Sequence, residues 1–134
     1  MAITKRKGII AETKVLSYLI SKNYDVFLPW GEDHRFDLLC EINGDFKRIQ
    51  VKYVTPKKGC IEIPLRSMNN WSTVRYSLKN VDMIAAYNPE NDKIYFISLN
   101  EFSNIAAVKL RFNKPKNSQQ KHIRWAVNFE GIKN

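Results

Sequence analysis

Apolar side chains at Ile9, Val15, Leu16, Leu19 and Ile20 recur with helical spacing and predict an amphipathic helix over residues 9–22. Basic residues precede it, and Asn23, which tolerates the left-handed conformation, marks its end. Val26, Phe27 and Leu28 predict a short strand within residues 24–29, stopped by Pro29, and residues 30–35 read as a polar turn. The strongest local signal follows. The β-rich runs 36–42 and 45–54 flank Asn43-Gly44, a dipeptide suited to a type I′ turn because both central residues need positive φ.

Residues 56–59 form a basic loop holding Lys57 and Lys58, and a strand is predicted over residues 60–64. Residues 65–79 show no clear period and read as a loop with a short helix. Residues 81–87 and 93–99 predict a second hairpin, after which Asn100 is placed to cap a turn through Glu101 and Phe102. The last third is less regular. One helix followed by strands, without an internal repeat or a linker, predicts a single α/β domain over residues 1–134 with a central mixed sheet.

A two-residue turn at Asn43-Gly44 fixes a register in which paired residue numbers sum to 87, so Asp37 lies opposite Gln50 and Arg35 opposite Lys52. The period of two then puts Asp37, Gln50 and Lys52 on one face. Ile49, Val51 and Tyr53 share the other face with Phe36, Leu38 and Cys40. Glu12 is the anomaly of the helix. At ~100° per residue it falls between Val15 and Leu16, in the middle of the apolar stripe. A carboxylate there needs a compensating lysine, metal ion or water-filled cleft. A helix-to-sheet salt bridge or an edge carboxylate would account for it equally well.

Composition narrows the classes. The chain has 134 residues, 44% hydrophobic and 26% charged, which suits one globular domain. No apolar run reaches the roughly 18–20 residues of a membrane span, and none follows Lys5-Arg6-Lys7 as a leader would. No membrane partner is expected, and a cytoplasmic location, nucleoid-associated when bound to DNA, is. Cys40 and Cys60 form no CxxC pair and no Cys/His cluster, which argues against a disulfide scaffold or structural zinc. Charge changes the picture most. Twenty-two Lys and Arg against 13 Asp and Glu give a net charge of +9, pointing to a polyanion such as nucleic acid.

Two carboxylates and an amide oxygen converging on one point would suit a hard cation such as Mg²⁺. A neighbouring lysine could neutralise a scissile phosphate, position the attacking water, or accept its proton. These are the requirements for hydrolysing a phosphodiester.

The strings Gly8-x-x-Ala11-Glu12, Phe36-Asp37-Leu38-Leu39 and Arg48-Ile49-Gln50-Val51-Lys52 together resemble the PD-(D/E)XK nuclease superfamily, and the Gln-x-Lys variant is similar to its homing-endonuclease branch. The resemblance covers residues 8–54 well and extends more weakly through Val81-Asp82-Met83-Ile84 and Ile94-Tyr95-Phe96-Ile97. It implies a restriction-endonuclease-like α/β core, a central mixed β-sheet flanked by helices. It also implies Mg²⁺, or Mn²⁺ as a substitute, held by Glu12, Asp37 and Gln50, with Lys52 as the motif lysine. Phe36-Asp37 stands where Pro-Asp is usual, and Gln50 where an acid is usual; the latter removes a negative charge and weakens metal binding.

The implied activity is Mg²⁺-dependent endonucleolytic cleavage of double-stranded DNA, homing-type first, with restriction-type or junction-resolving activity as alternatives. Cutting both strands with one site per subunit implies a homodimer or higher symmetric oligomer. A non-cleaving DNA-binding module on the same fold, or an RNA-binding protein, stands as the reading from another class. His34 lies near the site in sequence, where a loop histidine is more often simply exposed.

Between Phe102 and Phe129 no acid occurs, while Lys109, Arg111, Lys114, Lys116, Lys121 and Arg124 do. Phosphate-contacting candidates are therefore Arg35, Lys57, Lys58, Arg66, Arg75, Lys114, Lys116 and Lys121. Asn69, Asn70, Gln119 and Gln120 have the chemistry of base readers, as do Arg66 and Arg75. Trp71, Tyr76 and Trp125 fit a core or a subunit contact.

Overall fold

Helix α1 (Ile3–Ser21) starts six residues before its apolar stripe, because Lys5, Arg6 and Lys7 are good helix formers that leave no mark in a hydrophobic period. Asn23, at φ 67°, ends it as expected. The computed structural model describes residues 1–68, 73–75, 80–102, 105–113 and 122–133. After α1 come β1 (Asp25–Phe27), β2 (Leu38–Ile42), β3 (Asp45–Tyr53), β4 (Cys60–Pro64), β5 (Arg66–Met68), β6 (Thr73–Arg75), β7 (Met83–Asn88), β8 (Lys93–Ser98), β9 (Ala107–Arg111) and β10 (Arg124–Trp125).

Five strands form the main sheet in the order β1-β2-β3-β7-β8. Within this sheet β3 and β7 run parallel and the other neighbours antiparallel, so it is mixed as predicted. The β2–β3 hairpin has the predicted register, with Leu38 opposite Ile49 and Ile42 opposite Asp45. Asn43 and Gly44 sit at φ 53° and 86°, as a type I′ turn demands. The second hairpin pairs Asn88 with Lys93.

Two differences from the sequence reading have local causes. The expected short helix within 65–79 is absent where the chain is described. There the alternation that buries Ile61, Ile63 and Leu65 runs on as extended chain, and β5 pairs antiparallel with β6. Asn100 does not cap a turn but lies inside one, Leu99–Glu101, and accepts the Ser98 hydroxyl at 2.6 Å.

The sheet is covered on both faces. Ala11, Val15 and Leu19 of α1 pack with Leu38, Ile49, Val51, Ala85 and Phe96 on one face. On the other, Ile84, Ala86, Tyr95 and Ile97 meet Ile61, Ile63, Val108 and Leu110 of a small sheet ordered β10-β9-β4. Among the described residues that small sheet, with two short 3₁₀ turns, occupies the flank where the resemblance implied a further helix. No helix among them is long and apolar enough to cross a membrane. Both cysteines are free.

Polar ties fix the layers. Lys14 reaches Asp92 at 3.0 Å, and the Ile132 N–H donates to the Tyr18 hydroxyl at 3.0 Å. Gly131 holds φ 73°, and a Cβ there would come within 2.8 Å of the same hydroxyl. Gly131→Ala is therefore expected to cost about 1–3 kcal/mol in chemical denaturation.

Arg48 grips Asp82 through Nε (2.9 Å), Nη2 (3.1 Å) and its own backbone N–H (2.8 Å), pinning the start of β7 to β3. Burial alone would raise the Asp82 carboxyl. The bonds and charge of Arg48, with the charge of Lys47, outweigh it and hold the group below 3.8. Stability from this pair is thus present above the unfolded value and is lost as pH falls through the depressed one. Asp82→Ala is expected to cost about 2 kcal/mol at neutral pH and to flatten the acid limb of a thermal-stability profile.

Candidate active site

The buried stripe of α1 runs through Ala11, Val15 and Leu19, while Ile9 and Ile20 are exposed. Its centre lies about 60° from Glu12, so the carboxylate flanks the stripe instead of occupying its middle. The reason is size. Ala11 lets the helix approach the sheet closely, but a count of large apolar residues overlooks it. Glu12 is half-buried beside Asp37.

Asp37 sits just before β2. Its N–H donates to the Ile49 carbonyl and its Oδ2 accepts from the Val51 N–H, both at 2.8 Å. The carboxylate is therefore fixed on the backbone between Gln50 and Lys52. Glu12 reaches it from the helix. Burial, then the charge of Asp37, then a hydrogen bond between the two carboxyls push Glu12 up to about 7. A like charge beside a half-buried acid disfavours that acid's ionised form.

The four predicted residues do not share one face. Ile49 and Val51 point toward α1, so alternation sends Gln50 and Lys52 out of the opposite face of β3, beside Ile84 and Ala86. A helix that packs on the apolar side of a hairpin cannot also sit on its polar side. Glu12 and Asp37 are brought together; Gln50 and Lys52 flank Asp37's backbone anchor from the other side.

Among the described residues, no three His, Cys, Asp or Glu side chains gather as a metal cage. Mg²⁺, however, is usually held by one or two carboxylates, waters and substrate phosphates. Two carboxyls brought together in this way offer oxygen donors of the kind a hard divalent cation takes, so the donor set fits.

Lys52 also lines a groove of about 1450 Å³ with Lys57, Lys58, Lys109 and Arg111. Arg35 is exposed in the turn before Asp37, and since β2 begins at Leu38, it forms no strand pair with Lys52. Arg66 is exposed on β5. His34 is exposed and its Nε2 lies 2.6 Å from the Trp30 carbonyl, a contact that closes its own turn. The side chains of Arg75, Lys114, Lys116 and Lys121 lie outside the described residues, as do Asn69, Asn70, Trp71, Tyr76, Gln119 and Gln120.

Sequence reasoning missed the Val51 anchor of Asp37 and the place of Glu62 in the groove. Neither left a signal. The first depends on a side chain curling back onto backbone. The second depends on β4 pairing with β9, where Glu62 opposes Lys109 across 47 positions of chain.

The family model described as PD-(D/E)XK endonuclease matches residues 2–132. No curated protein matches. Among solved structures, a bacterial homing endonuclease, I-Ssp6803I, is similar with a TM-score of 0.74 and 21% identity, over 96% of this chain and 89% of that one. At that identity the likeness is one of fold.

Proposed function

The chain belongs to the PD-(D/E)XK endonuclease family, and we propose that it is a Mg²⁺-dependent endonuclease acting on double-stranded DNA at a specific site, in the manner of homing enzymes. The observation that carries this reading is the meeting of Glu12 with Asp37, anchored on the strand that bears Lys52. Asp37 and Glu12 would hold the cation; because the Asp37 carboxylate is bonded to the Val51 N–H, between the two faces of β3, Glu12 would meet the ion from one side and the Gln50 carbonyl oxygen, as a further donor, from the other. When bound, Mg²⁺ supplies Lewis acidity at the scissile phosphate and lowers the pKa of a coordinated water.

The protein's own groups do the rest. The Val51 N–H keeps the Asp37 carboxylate from rotating away, so the negative charge is presented in one direction. Lys52, projecting from a strand paired on both sides, places an ammonium against the phosphate and stabilises the charge that builds on its oxygens. It can also orient the attacking water. Gln50 contributes an oxygen without a charge, so metal affinity in the absence of DNA is low and substrate phosphates complete the site.

The net charge of +9 supports a DNA partner, and cleavage of both strands supports a homodimer or larger symmetric assembly. We place its action inside the cell, where that DNA is, with residues 1–134 as one nuclease domain. The neutral residue at position 50 keeps one competing reading, a DNA-binding module that does not cut. Plasmid nicking with Mg²⁺ or Mn²⁺, against a chelator control, decides between them. Cleavage that requires the ion is expected; DNA binding without cleavage under any divalent ion favours the binding module.

A further inference from the structure

One groove carries more charge than the reacting centre uses. On one side is the turn from Lys57 to Cys60, closed by Lys57 N–H to Cys60 O at 2.8 Å and Cys60 N–H to Lys57 O at 3.1 Å. On the other are Lys109 and Arg111 of β9, two residues apart on the outward face, since Val108 and Leu110 are buried. The Phe112 N–H donates to the Gly59 carbonyl at 2.9 Å, so the walls are bonded to each other and preformed. Lys52 stands within the same groove.

Among the described residues, neither Lys57, Lys58, Lys109 nor Arg111 is ion-paired. Glu62 is directly opposite Lys109 in register, yet the two make no salt bridge. Five cations thus surround one carboxylate in a cleft whose low-dielectric walls concentrate the field. Side chains two positions apart on a strand are about 7 Å apart on one face, a spacing that lets Lys109 and Arg111 serve successive phosphates.

We propose that this groove takes the sugar-phosphate backbone of one DNA strand beside the scissile phosphate, with Lys109 and Arg111 as its far wall and Glu62 tempering its affinity. The assignment rests on the nuclease reading above and adds the path of the strand that leads to Lys52. Glu62 keeps the groove from being a uniformly positive trap, so release of non-cognate DNA is faster than five cations alone would permit.

The test is equilibrium binding of a short mixed-sequence duplex in chelator, over a salt series from about 50 to 200 mM. A Lys109→Gln/Arg111→Gln double variant is expected to bind about tenfold more weakly and to flatten the salt dependence by about 2. Glu62→Gln is expected to bind roughly two- to fivefold more tightly, a gain that misfolding cannot produce. Cys60 lines the groove whereas Cys40 is fully buried, so DNA should slow alkylation of Cys60 by maleimide in the wild type. Wild-type affinity and salt slope in the double variant, with no gain from Glu62→Gln and no protection of Cys60, overturn the groove while leaving a cutting wild type as a nuclease. A wild type that neither binds nor cuts DNA overturns both readings.

Discussion

Asp37→Asn is expected to lower the rate of phosphodiester cleavage on the order of 10³-fold while the protein still folds. The fold survives because the amide keeps a carbonyl oxygen that can accept the Val51 N–H now bonded to Oδ2. The chemistry fails because the substitution removes the charge nearest Glu12 and half of the acidic donor set. Nicking of supercoiled plasmid measures the loss, and circular dichroism with thermal unfolding verifies the fold. A folded Asp37→Asn variant that cuts at the wild-type rate would remove Asp37 from the site, and with it the reason for Glu12 to be half-buried there.

Lys52→Met should lower cleavage by roughly 10²–10³-fold and leave most of the affinity for DNA intact. Methionine keeps the length and much of the apolar stem, so strand β3 is not disturbed. It loses the ammonium. In a groove that retains Lys57, Lys58, Lys109 and Arg111, one lost cation should reduce the salt slope of binding by only about 1. The diagnostic outcome is the split: turnover nearly abolished, affinity modestly reduced. Equal losses in both would make Lys52 an anchoring residue without a role at the reacting phosphate.

The parts of this architecture that sequence made legible are those fixed over short distances. Asn43-Gly44 set the hairpin turn, the turn set the register, and the register placed Gln50 and Lys52 on one face of β3. Residues 60–64 matched β4 to the residue, because Ile61 and Ile63 alternate with polar neighbours between a basic turn and Pro64. The errors came from distance and size. The direction of α1 was misjudged because Ala11 buries as fully as Val15 and Leu19 without looking like a core residue. The pairing of β4 with β9 could not be read, since strands so far apart in the chain carry no mark of their partner. Glu12 lies beside Asp37 at the edge of the buried stripe, where a count of large apolar residues puts it at the centre.

Strand β3 is hydrogen-bonded along both edges, to β2 and to β7, whereas α1 is held by the packing of Ala11, Val15 and Leu19 and by side-chain ties at Glu12, Lys14 and Tyr18. The amine and the amide are thus carried by a strand bonded on both edges, and one carboxylate by a helix seated through side chains. A larger side chain at position 11 would lift the helix and widen the gap between the two acids without shifting Lys52. Directed evolution toward a different divalent ion should therefore collect its substitutions beneath the helix, several ångströms from any reacting atom, and leave β3 as it is.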